Sequence, residues 1–181
     1  MVYMYDFLKR DKSWEIRMNT TIMEADLNDV AHQNAIVHLL NEYTKDLQGF
    51  KRSLPDNVLK ELIPEIRKIP TALIFLAEAD DRFVGMSICF LGFSTFFARP
   101  IVNIHDFTVL REFRRQGIGT LLVEAVERKA AALDCCKLTL EVQEKNSDAL
   151  RLYEKCGFEK SILDESEGQA FFLSKYLHDR Y

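Results

Sequence analysis

A mixed α/β fold is what this sequence predicts, on three observations. Apolar, β-branched runs such as 101–109 alternate with segments of helical periodicity, so strands and helices interleave along the chain. The clearest helix, 118–133, follows one of those strands after a charged loop and carries one apolar face, with Glu124, Glu127 and Arg128 largely opposite. Glycine, proline and acidic pairs fall between the periodic segments, where turns and helix ends belong.

Taken in order, 15–25 reads as a first strand. Asp26 can cap the next helix, with Asp29 easing its positive end. Val30, Val37, Leu40, Tyr43 and Leu47 then recur at helical spacing. A second helix runs through Val58, Leu59, Leu62, Ile63 and Ile66; Pro64 is expected to kink or divide it, and Pro70 closes it. Residues 72–79 form a buried strand, Asp80-Asp81 a turn and 82–93 the next strand, together a hairpin. After a loop with Phe96 and Phe97 comes the central strand 101–109. The helix from Ile118 presents Ile118, Leu121, Leu122, Ala125, Val126, Ala130 and Leu133 on its apolar face, and 137–142 is a strand. Asn146 or Ser147 caps a helix that stops at Gly157, and 158–163 with 169–175 make a final hairpin.

With 181 residues, one domain is expected, here 15–181 behind an N-terminal extension 1–14. A net charge of −4 argues against non-specific binding to nucleic acid or anionic membrane. The apolar stretch 75–97 is broken by Glu78, Asp80, Asp81 and Arg82, leaving pieces too short to span a bilayer. The N-terminus lacks a basic region followed by an apolar core, so a cytoplasmic protein is expected. Cys89, Cys135, Cys136 and Cys156 show no CxxC spacing, which supports neither a disulfide framework nor a metal site.

The segment 104–122, IHDFTVLREFRRQGIGTLL, carries the chemistry. A helix start leaves backbone N–H groups without partners and places partial positive charge there. Glycines let a phosphate approach those groups closely. Gly117 and Gly119 stand where loop becomes helix, beside Arg111, Arg114 and Arg115. A pyrophosphate would be held mainly by N–H groups from Gln116 to Thr120, through Gly117, Ile118 and Gly119. A Walker loop is excluded, because no Gly-Lys-Ser/Thr is present. A dinucleotide fingerprint lacks its third glycine, and residues 110–116 intervene after the strand where none should. A glycine pair that merely permits tight helix packing is the plain alternative.

The pattern Arg114-x-x-Gly117-x-Gly119 closely resembles the pyrophosphate motif of the GNAT superfamily of N-acetyltransferases. NSDALRLYEKCGF, 146–158, resembles that family's second signature, and the element order is similar from about Ile16 to Lys175. The resemblance implies a mostly antiparallel central sheet of about six to seven strands flanked by about four helices, with two splayed central strands. It implies acetyl-coenzyme A as cosubstrate, its pantetheine lying between the strand ending near Val109 and that starting near Leu138. Backbone groups of Phe107, Thr108 and Val109 would line it, and a backbone N–H near Val109 would stabilise the oxyanion. Asn146 would contact the pantetheine arm or simply cap its helix; Arg114 and Arg115 would reach phosphates or remain solvated charges.

A primary amine is protonated near neutral pH, since its pKa is about 10, and must lose that proton before attack. His105 occupies the strand position where many family members carry a Glu or His base, and histidine titrates near the working pH. Strand alternation places His105 with Asn103, Phe107 and Val109, and Asp106 with Ile104 and Thr108 on the other face. Asp106 is the reserve base, and a bulge would exchange their roles. Tyr153 lies on a helical face with Ala149, Leu152 and Cys156, as a core tyrosine would, but stands where the family's general acid usually sits. Direct acetyl transfer to the primary amine of a small molecule, an amine or amino acid, is the expected reaction. A protein N-terminal or lysine acetyltransferase and a non-catalytic acyl-coenzyme A sensor are the alternatives. GFSTFFARPIVNIHDFTV, 92–109, has some likeness to the diamine acetyltransferase branch, although His105 replaces that branch's usual Glu. The acceptor pocket is expected between the first two helices and the final hairpin. Family members are often dimers, so a homodimer is one assembly the resemblance allows.

Overall fold

The structure, a computed structural model, describes residues 19–46 and 51–159. Among them are strands β1 (Thr20–Glu24), β2 (Ala72–Ala79), β3 (Arg82–Ser94), β4 (Arg99–Val109) and β5 (Leu138–Leu140). The helices are α1 (Val30–Lys45), α2 (Asp56–Ile66), α3 (Ile118–Ala132) and α4 (Ser147–Lys155), with a 3₁₀ turn at Arg111–Phe113. The sheet runs β1-β2-β3-β4-β5; its first three pairings are antiparallel and β4–β5 is parallel. Five strands are therefore described where six to seven were expected. The expected final hairpin lies almost wholly outside the described residues, as do the N-terminal extension and the start of the expected first strand.

The two faces of the sheet are separately covered. On β2, Leu73, Phe75 and Ala77 meet α3, whereas Ile74 and Leu76 meet α1 and α2. That double burial explains why β2 reads as a continuous apolar run. Leu122 of α3 is wholly buried, and truncating such a side chain to alanine costs about 2–5 kcal/mol. Leu121 and Leu133, expected on the α3 core face, are each 37% exposed, while Val123 is buried. The buried face is thus rotated slightly from the one the periodicity gives.

Local details follow from backbone chemistry. Asp80 and Asp81 both hold positive φ, 49° and 58°, which a two-residue hairpin turn matching strand twist requires and aspartate tolerates. Asp29, not Asp26, caps α1, accepting from the N–H groups of Ala31 and His32; Asp26 instead closes the preceding turn by accepting from Asn28. Pro64 neither divides nor ends α2, which continues to Ile66. Gly157 follows α4 in the left-handed region at φ 83°.

Candidate active site where two strands part

β4 and β5 pair over only three residue pairs, Val102–Leu138, Asn103–Thr139 and Ile104–Leu140. The Asn103 side chain donates to Thr139 Oγ1 at 3.1 Å beside this short ladder. Beyond Ile104, β4 continues to Val109 without β5 beside it. The Leu110 N–H donates to the Val84 carbonyl at 2.8 Å and so faces β3. By alternation Thr108 also turns its backbone to β3, and the backbone groups of Phe107 and Val109 face the open edge. Among the described residues no strand pairs with this stretch of edge, and an edge of this kind accepts an extended chain as an added strand.

Immediately before that edge, β4 carries a bulge. Ile88 opposes Asp106 and Cys89 opposes Ile104, so His105 is the extra residue. Simple alternation therefore fails: Ile104, Phe107 and Val109 join the core beneath α3, while His105 and Asp106 both line the opposite cleft. The separation of these two side chains onto different faces, expected from the sequence, is corrected by the inserted residue.

This cleft, of about 500 Å³, lies between α1, α2, β3 and β4. Leu40, Leu62, Ile66, Ile69, Ile88 and Phe90 give it apolar walls, and Glu65 and Lys68 pair with each other at its rim at 2.6 Å. The His105 ring meets Phe90 edge-on, with centroids 5.4 Å apart. Among the described residues, the Asp106 carboxylate makes no hydrogen bond or ion pair. Burial raises its pKa, partly offset by neighbouring His105. An ionised carboxylate in this setting favours a cation beside it.

Tyr43 of α1 belongs to the same region. Burial raises its phenol pKa, and the Asp106 and Asp46 carboxylates raise it further. Helical periodicity offers Tyr43 only as one apolar position among several; its nearness to Asp106 depends on how α1 packs across β4.

Tyr153 lies across the parted strands, on α4. Asn146 caps this helix by accepting from the Ala149 N–H at 3.2 Å. Tyr153 is 8% exposed and packed between Phe107 and Phe158, at ring distances of 5.9 and 5.5 Å. Burial raises its phenol pKa well above 10, with smaller contributions from Tyr43, Cys89 and Cys156. The hydroxyl therefore keeps its proton throughout the neutral range and can donate a hydrogen bond.

The glycine turn completes the arrangement. Gly117 adopts φ 88° at the N-cap of α3, and a Cβ there would have no described atom within 4 Å. The first α3 backbone bond runs from the Leu121 N–H to the Gly117 carbonyl, leaving the N–H groups of Ile118, Gly119 and Thr120 without intrahelical acceptors. Ile118 is buried and anchors the turn, whereas Gly119 faces α4, where a Cβ would sit 3.0 Å from Leu152. The open space above Gly117 and these donors suit an anion, and the free β4 edge suits an extended arm.

The side chains around the turn are engaged within the protein. Arg114 Nε donates to the Val109 carbonyl at 2.8 Å, and its Nη2 donates to Asp46. Arg115, at φ 64°, pairs with exposed Asp148, which also accepts from Arg151. The Gln116 side chain donates to the Glu112 carbonyl. Among the described residues, no helix is long and apolar enough to cross a membrane.

Comparisons with known proteins bear on the family and the fold. Residues 35–158 match the model of the acetyltransferase (GNAT) family. An N-alpha-acetyltransferase of Sulfurisphaera tokodaii is 33% identical over 115 residues, covering 60% of this chain and 69% of that protein. The thialysine N-epsilon-acetyltransferase of Mus musculus is 34% identical over 89 residues, covering 49% of this chain and 51% of that protein. A crystal structure described as a probable acetyltransferase shares the fold at TM-score 0.70 and 22% identity, covering 86% of this chain and 98% of that one. The chain therefore belongs to the GNAT family and is an N-acetyltransferase.

Proposed function

We propose that this enzyme transfers an acetyl group from acetyl-coenzyme A directly to the primary amine of a small molecule with an apolar body. The observation that carries this reading is the bulge, which sets both His105 and Asp106 on an apolar cleft beside an open strand edge. Acetyl-coenzyme A, when bound, supplies an acetyl thioester. The N–H groups of Ile118, Gly119 and Thr120 would hold its phosphates above Gly117, and the edges of Phe107 and Val109 would receive its arm.

Asp106 has the chemistry to receive the acceptor as an ammonium and to accept its proton, with His105 adjacent as the second base. The neutral amine would form the new C–N bond as the C–S bond breaks, and the second proton lost from its nitrogen would pass to the departing sulfur, so that coenzyme A leaves as the thiol. The Val109 N–H, facing the open edge, is suited to hold negative charge developing on the carbonyl oxygen. Tyr153, a weak acid here, stabilises the departing thiolate by donating a hydrogen bond instead of releasing its proton ahead of bond cleavage.

Thiol release from acetyl-coenzyme A over a panel of small amines tests the reading. Apolar primary amines should be the best acceptors, and diamines with a distal charge should be poor ones, because Glu65 at the rim is already paired with Lys68. A second reading, acetylation of a peptide α-amino group, is favoured by the name of the Sulfurisphaera relative. Peptides exceeding every small amine in kcat/KM would establish it instead.

A further inference from the structure

We infer that Arg114 is a positioning residue that fastens the amine-binding side of the site to the thioester-binding strand, instead of a ligand of the cofactor phosphates. The inference rests on the acetyl-transfer reading of the cleft. Its motif position predicts a phosphate contact, but its side chain runs the other way. Nε donates to the carbonyl of Val109, the last residue of β4, and Nη2 reaches Asp46, 68 positions earlier in the chain. The planar guanidinium thus serves two acceptors on different elements with its fixed fork.

Both acceptors lie where position matters. Asp46 is the C-cap of α1, and its N–H donates to the carbonyl of Tyr43, one turn back. Tyr43 is the α1 side chain within electrostatic reach of Asp106. Held at Asp46, the last turn of α1 keeps a fixed distance from β4 and hence from the cleft. Val109 turns its carbonyl and its N–H to the same open edge. Fixing the carbonyl sets the orientation of the residue whose N–H faces the thioester site. The phosphate cradle is complete without Arg114: three backbone N–H groups converge at the α3 start, and Arg115 is exposed beside them.

The test uses the full chain with Arg114→Gln, Asp46→Ala, the double variant and Arg114→Lys. Calorimetry with coenzyme A gives cofactor affinity, and thiol release with 2-phenylethylamine, an apolar primary amine, gives KM for the acceptor. We expect each single change to raise the amine KM about tenfold while coenzyme A affinity stays within about twofold. The double variant should be no worse than Arg114→Gln alone, since that change already removes the linkage to Asp46. Arg114→Lys should recover part of the loss, because one ammonium cannot reproduce the fork.

A phosphate ligand would behave differently. Arg114→Gln would then weaken coenzyme A about tenfold or more, and Asp46→Ala, by releasing the guanidinium, would leave the amine KM unchanged or tighten cofactor binding. That pattern overturns the inference. If Arg114→Gln does not fold, Asp46→Ala and Arg114→Lys carry the same comparison. An unaltered enzyme that binds coenzyme A but acetylates no amine would sink the functional reading separately, and calorimetry on the variants would still decide the role of Arg114.

Discussion

His105 and Asp106 are consecutive on β4, yet both face the cleft bounded by α1 and α2, because the strand carries one residue more than β3 offers partners. Replacing Asp106 with Asn should lower kcat by about 10²–10⁴-fold if it is the base. Unchanged turnover in Asp106→Asn, with a large loss in His105→Gln, would move the role to His105.

The same substitution has a stability signature. Burial raises the Asp106 pKa, so the folded chain holds that proton more tightly than the unfolded one. Its stabilising contribution is full below the unfolded value, about 3.9, and is lost as pH rises through the folded value. At neutral pH the carboxylate is a burden to the fold. Asp106→Asn should therefore melt higher than the parent at pH 7, and the gap should narrow toward pH 4. Calorimetric melting across that range checks the sign.

Tyr153→Phe preserves the ring contacts with Phe107 and Phe158 and removes only the hydroxyl. We expect kcat to fall by about 10²-fold, with coenzyme A affinity and melting temperature nearly unchanged. Full activity in this variant would rule out a role for the hydroxyl in stabilising the leaving thiolate.

Gly117→Ala separates conformation from packing. Its φ of 88° is unfavourable for any residue with a Cβ, at a cost of about 1–2 kcal/mol, but that Cβ would touch no described atom. A modest loss of stability with a larger loss of coenzyme A affinity is expected from combined melting and calorimetry. A stability loss with cofactor affinity unaltered would show that the glycine serves only the turn.

Cys89 should resist alkylation. It is fully buried, and burial pushes its pKa up to about 11 despite the Ser87 hydrogen bond that opposes the shift. At pH 8 about one thiol in a thousand would be ionised. Iodoacetamide on the native protein should label Cys135, Cys136 and Cys156, which are partly exposed, and spare Cys89 until denaturant is added. Peptide mass spectrometry reads the pattern.

Much of this arrangement is legible in the sequence where the determinants are local. The apolar run of β2 gives its observed bounds, Ala72–Ala79, and the start of α3 at Ile118 follows from the glycine turn. Gly157 marks the end of α4 because few other residues adopt its backbone angle without strain. The cleft is less legible. A bulge inserts one residue without changing the apolar pattern around it, so alternation puts His105 and Asp106 on opposite faces. Tyr43 looks like any helix-face aromatic until α1 is packed on β4. The Arg114 partner at Asp46 is set by tertiary geometry that no motif spacing encodes.

The brief parallel seam between β4 and β5 also bears on how the molecule assembles. β2, β3 and β4 are chain neighbours, and their antiparallel pairings close through short turns. β5 can add its three pairs only after the chain has crossed back through α3. Contacts that span more sequence carry a larger loop-closure cost and tend to form late. This seam should therefore close after the β2–β3–β4 hairpins, as should the β1–β2 pairing, which spans still more of the chain, so a nascent chain would gain its central hairpins before the candidate groove between β4 and β5.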